Sequence, residues 1–427
     1  MDKELRTARH LRGEITVPGD KSISHRAAMI GAIAEGVTEI GGFLRAADPL
    51  STLQCIHDLG VETKFLSDTL SVHGKGLHGL RRPEKILDAG NSGTTIRLLT
   101  GILAGQKFSS EISGDAYLTQ RPMRRIIEPL TLMGASISAS RQQTAPLTIT
   151  SVERLHAIDY VLPVASAQVK SAILLAGIFA DGTTSVFESK KSRDHTERML
   201  NLEIDHSNGM NVVKVVGKRP IYAKQFYVPG DPSSAAFFIV AGLIVPNSEI
   251  VIKNISVNPT RIGFIQVLQS MGANIKLEGE NIVGGETIGN VVVSNSSLQS
   301  NIVLRGKIIP NIIDEIPILA VAAIFAKGTF EVRDASELRT KECDRIRAIC
   351  YNIKAMGLEV EEFQDGFAFE SKDRLLPSIY DSFGDHRIAM AFGIAGVASE
   401  GRSMVTNAEC VDISFPSFWK TLEQLVD

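Results

Sequence analysis

The sequence predicts an α/β fold of six βαβαββ units in two halves of three, with helices inside each half and strands outside. Three observations predict it. A strand-like run, a turn rich in Gly or Ser, an apolar small-residue helix and a second strand-like run recur along the chain. Turns reading LGVE, MGAS, MGAN and MGLE, from Leu59, Met133, Met271 and Met356, each close a second helix before a further strand. The tetrapeptide VPGD stands at Val17 and again at Val228, dividing the 427 residues into two similar halves.

The units follow in order. The first opens at Ile15, and its turn Gly19-Asp20-Lys21-Ser22 leads into a helix carrying His25 and Arg26. Free backbone N–H groups at a helix start, with Lys21, Ser22 and Arg26 beside them, suit an anion; a capped helix with solvated basic residues is the plainer reading. The segment lacks the GxxxxG spacing of a P-loop. The second unit opens at Leu87 with Asp88-Ala89-Gly90-Asn91-Ser92-Gly93-Thr94-Thr95-Ile96-Arg97. Gly93 permits close approach of a ligand, and Asn91 or Thr94 would cap the helix. Further on, Arg121 precedes Pro122, which is expected to begin a helix and leave Arg121 pointing away from it.

The third unit, from Leu162, places Ser166 and Gln168 at a helix start, followed by Ser192-Arg193-Asp194-His195. The fourth repeats VPGD ahead of an apolar helix. The fifth opens at Ile309 with a β-like run and sets Asp314 and Glu315 in an apolar stretch, where burial would raise a carboxylate pKa towards the proton-transfer range. Its Glu337-to-Ile346 segment spaces Lys341 and Arg345 at i and i+4, one face of a helix. The sixth carries Gly384-Asp385-His386-Arg387.

A hydrophobic fraction of 44% with 22% charged residues is that of a globular protein, and a formal charge of −3 gives no general attraction for nucleic acid or an anionic membrane. Anions must therefore be held locally, and Lys21, Arg26, Arg121, Lys341, Arg345 and Arg387 sit at equivalent turns of the repeats, as a multi-anion site requires. Cys55, Cys343, Cys350 and Cys410 form no CxxC pair, which points to reduced thiols and no zinc. No apolar leader or membrane-length run is present, so a cytoplasmic protein is expected.

The motifs GDKSISHR, GNSGTTIR, QRPM, ELRTKECDRI and GDHRIAMA stand in the order and spacing of the 5-enolpyruvylshikimate-3-phosphate synthase family, which the chain resembles over essentially its whole length. The resemblance implies an inside-out two-domain fold. Residues 1–18 would join 230–427 in one domain, and 19–229 would form the other. It implies a monomer that uses no metal or other cofactor, with phosphoenolpyruvate and shikimate 3-phosphate as substrates and no nucleic-acid or membrane partner. Lys21, Ser22, Arg26, Ser166, Gln168, Arg193, Asp314 and Lys341 would contact shikimate 3-phosphate. Lys21, Gly93, Arg121, Gln168, Lys341, Arg345 and Arg387 would hold phosphoenolpyruvate. Asp314, Glu342 and Lys21 would carry the proton transfers.

The chain departs from the family's pattern in two places. Many members have two serines before the third-unit Gln, where this chain has Ala167, and Arg193 is expected to supply the missing contact. Some members carry a Lys before the last helix, where Cys410 to Phe415 has none. Gly93 stands where some glyphosate-insensitive members have Ala. The related UDP-N-acetylglucosamine enolpyruvyl transferase is the nearest alternative, but it has a Lys-Asn pair at the first motif and a reactive Cys after the second unit. Here the pair is Lys21-Ser22, and no Cys lies between Cys55 and Cys343. A non-catalytic or RNA-cyclase-like relative with the same units is the remaining reading.

Overall fold

The computed structural model describes residues 1–426, which divide into two compact units. The N-half unit comprises Gly19–Val228 with Val283–Glu286; the C-half unit comprises Met1–Pro18, Pro229–Ile282 and Thr287–Asp427.

Three inner helices, Lys21–Ala32, Gly93–Ala104 and Ala167–Gly177, run through the N-half unit, buried on nearly every face. Side chains of Ala, Gly, Ile and Leu let them approach closely: a Cβ on Gly101 would collide with the Ala172 carbonyl. Outside them lie three four-stranded sheets, one per repeat. In the third, Asp159–Val161 runs parallel to Thr183–Glu188, which pairs antiparallel with Met210–Val216, and that strand pairs with Glu203–Ser207. A leading strand must cross back to a parallel neighbour through a helix, and the inner helix is that crossover.

The C-half unit repeats this plan with inner helices Pro232–Ile244, Ile316–Ile324 and His386–Ala398, and Phe237 and Phe238 of the first pack against Phe415 and Phe418. Two leading strands are exchanged relative to chain order. Arg12–Thr16 pairs parallel with Glu249–Ser256 in the C-half unit, Ile15 opposite Ile252, whereas Gln225–Tyr227 pairs parallel with Glu35–Gly41 in the N-half unit, Phe226 opposite Ile40. Lys3–Arg6 then completes the sixth repeat's sheet against Arg402–Thr406.

The turns that mark the repeats end their second helices as the sequence predicts. Gly60, Gly134, Gly272 and Gly357 each follow a helix C-cap with φ between +86° and +94°, where only glycine is unstrained. In the third repeat Asn201 takes the left-handed position instead, with φ +51°. The β-like opening expected at Ile309 is a correction: the leading strand is Ile302–Leu304, and Ile309–Ile312 is helical with Pro at its start. No helix among the described residues is long and apolar enough to cross a membrane. The four cysteines are free thiols, and burial pushes Cys55, Cys350 and Cys410 up to about 12.

Candidate active site

Within the N-half unit, hydrogen bonds join the first two turns of the three inner helices. Ser92, not Asn91 or Thr94, caps the second, accepting the Thr95 N–H at 3.1 Å. Gln168, in the first turn of the third, accepts from Arg97 Nη1 at 2.8 Å and donates to Thr94 Oγ1 at 3.0 Å. Arg26 of the first donates from Nη2 to Ser171 Oγ of the third at 2.8 Å, and from Nη1 to the Ser22 carbonyl at 2.9 Å. Ser166 caps the third helix towards the Val169 N–H, at 3.5 Å. Helix N-termini gathered in this way, with Lys21, Arg26, Arg97 and Arg121 among them, favour anions.

Lys21 is the first residue of its helix, and its Nζ lies 3.1 Å from Asp48 Oδ2, with the two side chains 16% and 8% exposed. Gly93 is buried against guanidinium groups: a Cβ there would lie 2.7 Å from Arg97 Nη1 and 3.0 Å from Arg121 Nη1. Arg121 itself is extended, and the helix expected at Pro122 begins instead at Arg124. The Met123 N–H bonds to the Gln143 carbonyl at 2.7 Å and holds the chain open before it. Arg193 is half-buried on the segment between Thr183–Glu188 and the short helix His195–Leu200.

His25, buried beneath Lys21 and Arg26, shares its Nδ1 with Thr52 Oγ1 at 2.7 Å, and Thr52 continues to Thr95 Oγ1 at 2.7 Å. Burial, then the charges of Lys21 and Arg26, hold this imidazole well below its ordinary 6.5. Unfolding releases it to take up a proton, so its share of stability is complete above about pH 6.5 and falls as pH drops, by up to about 1.4 kcal/mol per pH unit. Denaturant unfolding between about pH 6.5 and 5 is expected to be less steeply pH-dependent for His25→Asn than for the wild type. Equal slopes would contradict a neutral buried His25.

In the C-half unit, Asp314 stands just before the helix Ile316–Ile324, and three cations reach it from different segments. Arg345 Nη1 lies 3.4 Å and Lys341 Nζ 3.7 Å from Oδ1, Arg387 Nη2 lies 3.8 Å from Oδ2, and Arg387 Nη1 donates to the Asp314 carbonyl at 3.2 Å. The apolar setting expected for this carboxylate is thus a cationic one. Lys341 and Arg345 do not share a helix face either. The helix begins at Arg345, capped by Asp344, and Lys341 is extended, so the two converge on Asp314 through the chain's turn.

Arg345 is 1% exposed and divides its fork between Asp385, at 2.7 Å from Nε, and Glu342, at 2.6 Å from Nη2. Burial opposes its charge, but Asp385, Glu342 and Asp314 outweigh that and raise its pKa. Behind them, Glu315 accepts from Ser233 Oγ and lies 3.7 Å from Arg387 Nη1, while Arg261 Nη2 donates to Ser233 Oγ at 2.9 Å and to Asp231 Oδ1 at 2.7 Å.

Asp48 and Arg261 escaped the sequence reading, and Arg97 and Asp385 entered it as members of motifs without a role at the site. Arg97 carried a signal, since it lies i+4 from Gly93 on the same helix, and so did Asp385 as an N-cap beside Arg387. Asp48 and Arg261 lie on other elements, and no local pattern marks them.

Comparison with known proteins supplies the rest. The family model for EPSP synthase (3-phosphoshikimate 1-carboxyvinyltransferase) matches residues 5–422. A 3-phosphoshikimate 1-carboxyvinyltransferase of Pelobacter propionicus is 49% identical over 420 residues, covering 97% of this chain and 96% of its own. One of a Thermoanaerobacter species is 48% identical over the full length of both chains. The solved EPSP synthase of Acinetobacter baumannii superposes with a TM-score of 0.87 at 41% identity, over 100% of this chain and 98% of that one. The enolpyruvyl transferase NikO of Streptomyces tendae, at 14% identity and a TM-score of 0.78 over 99% and 97% of the two chains, shares the fold.

Proposed function

The chain belongs to the EPSP synthase family, and from that premise we propose how its residues move the carboxyvinyl group of phosphoenolpyruvate onto the 5-hydroxyl of shikimate 3-phosphate, with release of phosphate. The observation that carries this reading is Asp314, a single carboxylate faced by Lys341, Arg345 and Arg387. A base beside several cations suits a reaction that must deprotonate a hydroxyl next to a substrate bearing a carboxylate and a phosphate.

Lys21, Ser22, Arg26, Ser166, Gln168 and Arg193 bind shikimate 3-phosphate, with Lys341 and Asp314 at its hydroxyls. Gly93, Arg121, Gln168, Lys341, Arg345, Arg387 and Lys21 hold phosphoenolpyruvate, the guanidinium groups pairing their donors with carboxylate and phosphate oxygens. Glu342 or Lys21 delivers a proton to the methylene carbon. The carbon bearing the phosphate becomes oxocarbenium-like, and the 5-hydroxyl oxygen attacks it while Asp314 accepts the hydroxyl proton. The tetrahedral ketal then loses phosphate, and a proton leaves the new methyl group to restore the double bond. Acid, base and cationic clamps supply every step.

The deciding assay follows phosphate release from phosphoenolpyruvate, with no metal added, given shikimate 3-phosphate or UDP-N-acetylglucosamine. Release with shikimate 3-phosphate alone supports the reading. Release with the nucleotide sugar overturns the acceptor, and release with neither overturns catalysis.

Gly93→Ala tests the donor site. The added methyl group displaces Arg97 and Arg121 from their present positions, and the KM for phosphoenolpyruvate is expected to rise by about tenfold with an unchanged melting temperature. An unchanged KM would remove Gly93 and Arg121 from that site.

A further inference from the structure

Lys170 lies in the inner helix Ala167–Gly177, two residues after Gln168, and is fully buried. Its ammonium is 2.9 Å from Glu188 Oε1 and 2.6 Å from Glu197 Oε1, and both carboxylates are no more than 2% exposed. Three charges with so little solvent around them are poor stabilisers, because desolvation consumes most of their mutual attraction and apolar side chains would pack as well. Burial opposes the Lys170 charge, yet the charges and hydrogen bonds of Glu197 and Glu188 outweigh it and raise its pKa, so the ammonium persists.

What the group holds gives it a role. Glu188 ends the strand Thr183–Glu188, and its Oε2 accepts the Ser192 N–H at 3.2 Å and the Ser192 hydroxyl at 2.7 Å. Glu197 lies in the first turn of His195–Leu200. Residues 189–194, which include Arg193, are therefore tied at both ends to one ammonium. The residues adjoining Lys170 and Glu197 seat Arg26: Thr196 Oγ1 accepts from Arg26 Nε at 2.8 Å, Ser171 Oγ accepts from Nη2 at 2.8 Å, and the two hydroxyls are 2.7 Å apart.

We propose that Lys170, Glu188 and Glu197 are positioning residues for the acceptor's phosphate site, fixing Arg193 and Arg26 against the helix start that carries Ser166 and Gln168. The inference rests on the reading of those four side chains as ligands of shikimate 3-phosphate. It extends that reading to a buried charge group that would touch no substrate.

The test compares Glu188→Ala with Glu188→Gln, whose single acceptor oxygen can serve Ser192 or Lys170 but not both. Steady-state phosphate release gives kcat and both KM values. Trypsin digestion without substrate, read by mass spectrometry, reports cleavage after Lys190, Lys191 and Arg193. Glu188→Ala is expected to raise the KM for shikimate 3-phosphate about 30-fold, with kcat and the KM for phosphoenolpyruvate within about threefold of wild type. Cleavage in the segment accelerates about tenfold, and Glu188→Gln recovers only a minor part of either effect, whereas near-complete recovery would show that the Ser192 bond alone, not the ammonium, holds the segment. If Glu188→Ala does not fold, Ser192→Ala must raise the same KM about fivefold. Faster cleavage with an unchanged KM, or both KM values rising together, overturns the positioning role. A wild type that releases no phosphate with shikimate 3-phosphate overturns the acceptor reading instead.

Discussion

Asp314→Asn is expected to lower kcat by about three orders of magnitude while the fold survives. The amide keeps the size of the carboxylate and can still accept a hydrogen bond, but it cannot take the proton of the attacking hydroxyl. Arg345 loses one of its carboxylate neighbours and keeps Asp385 and Glu342, so its burial remains compensated. Lys341 keeps Glu337 at 3.4 Å, and Arg387 keeps Glu315 at 3.7 Å. The KM for phosphoenolpyruvate should therefore change little. Steady-state phosphate release with melting curves reads both quantities. A kcat within about tenfold of wild type would exclude Asp314 as the base, and a collapsed melting temperature would make it a structural counter-ion instead.

Arg345→Met is expected to act on stability first. The guanidinium neutralises Asp385 and Glu342 from a fully buried position, and its removal takes away the cation that the two carboxylates share. Breaking a buried ion pair from one side costs about 3–5 kcal/mol. The sign of the pH dependence separates this cause from simple loss of packing. Carboxylates deprived of their cation bind protons more readily folded than unfolded, so the variant's deficit should shrink as pH falls from about 7.5 towards 5. Denaturant unfolding at several pH values reads the deficit, and a deficit independent of pH would show that lost packing dominates. Arg345→Lys should recover part of the stability but not phosphoenolpyruvate affinity, because an ammonium cannot divide itself between Asp385 and Glu342 as the fork does.

Much of the fold was legible because its signals are local. The helix ends at Leu59, Met133, Met271 and Met356 were visible since a glycine after the cap is needed wherever the chain turns left-handed, and all four are used so. The inner helices announced themselves by small apolar residues on most faces, a composition that suits burial on every side. Misreadings arose where one local rule yielded to another local bond or to a tertiary contact. Lys341 and Arg345 have helical spacing, but Asp344 caps the helix and leaves Lys341 outside it. Pro122 suits a helix start, yet the Met123 bond to Gln143 delays that helix to Arg124.

By itself the sequence determined the six repeats, the turns that start and stop their helices, and the basic residues standing at those turns, because each is written within a few neighbouring residues. Only the tertiary structure decided which strand completes which sheet, as Arg12–Thr16 and Gln225–Tyr227 exchange places. It alone paired Lys21 with Asp48, Arg97 with Gln168, Arg345 with Asp385 and Lys170 with Glu188 and Glu197. Those partners come from different elements of the fold, and a charge is set by what lies within a few ångströms of it in space, which no local periodicity encodes.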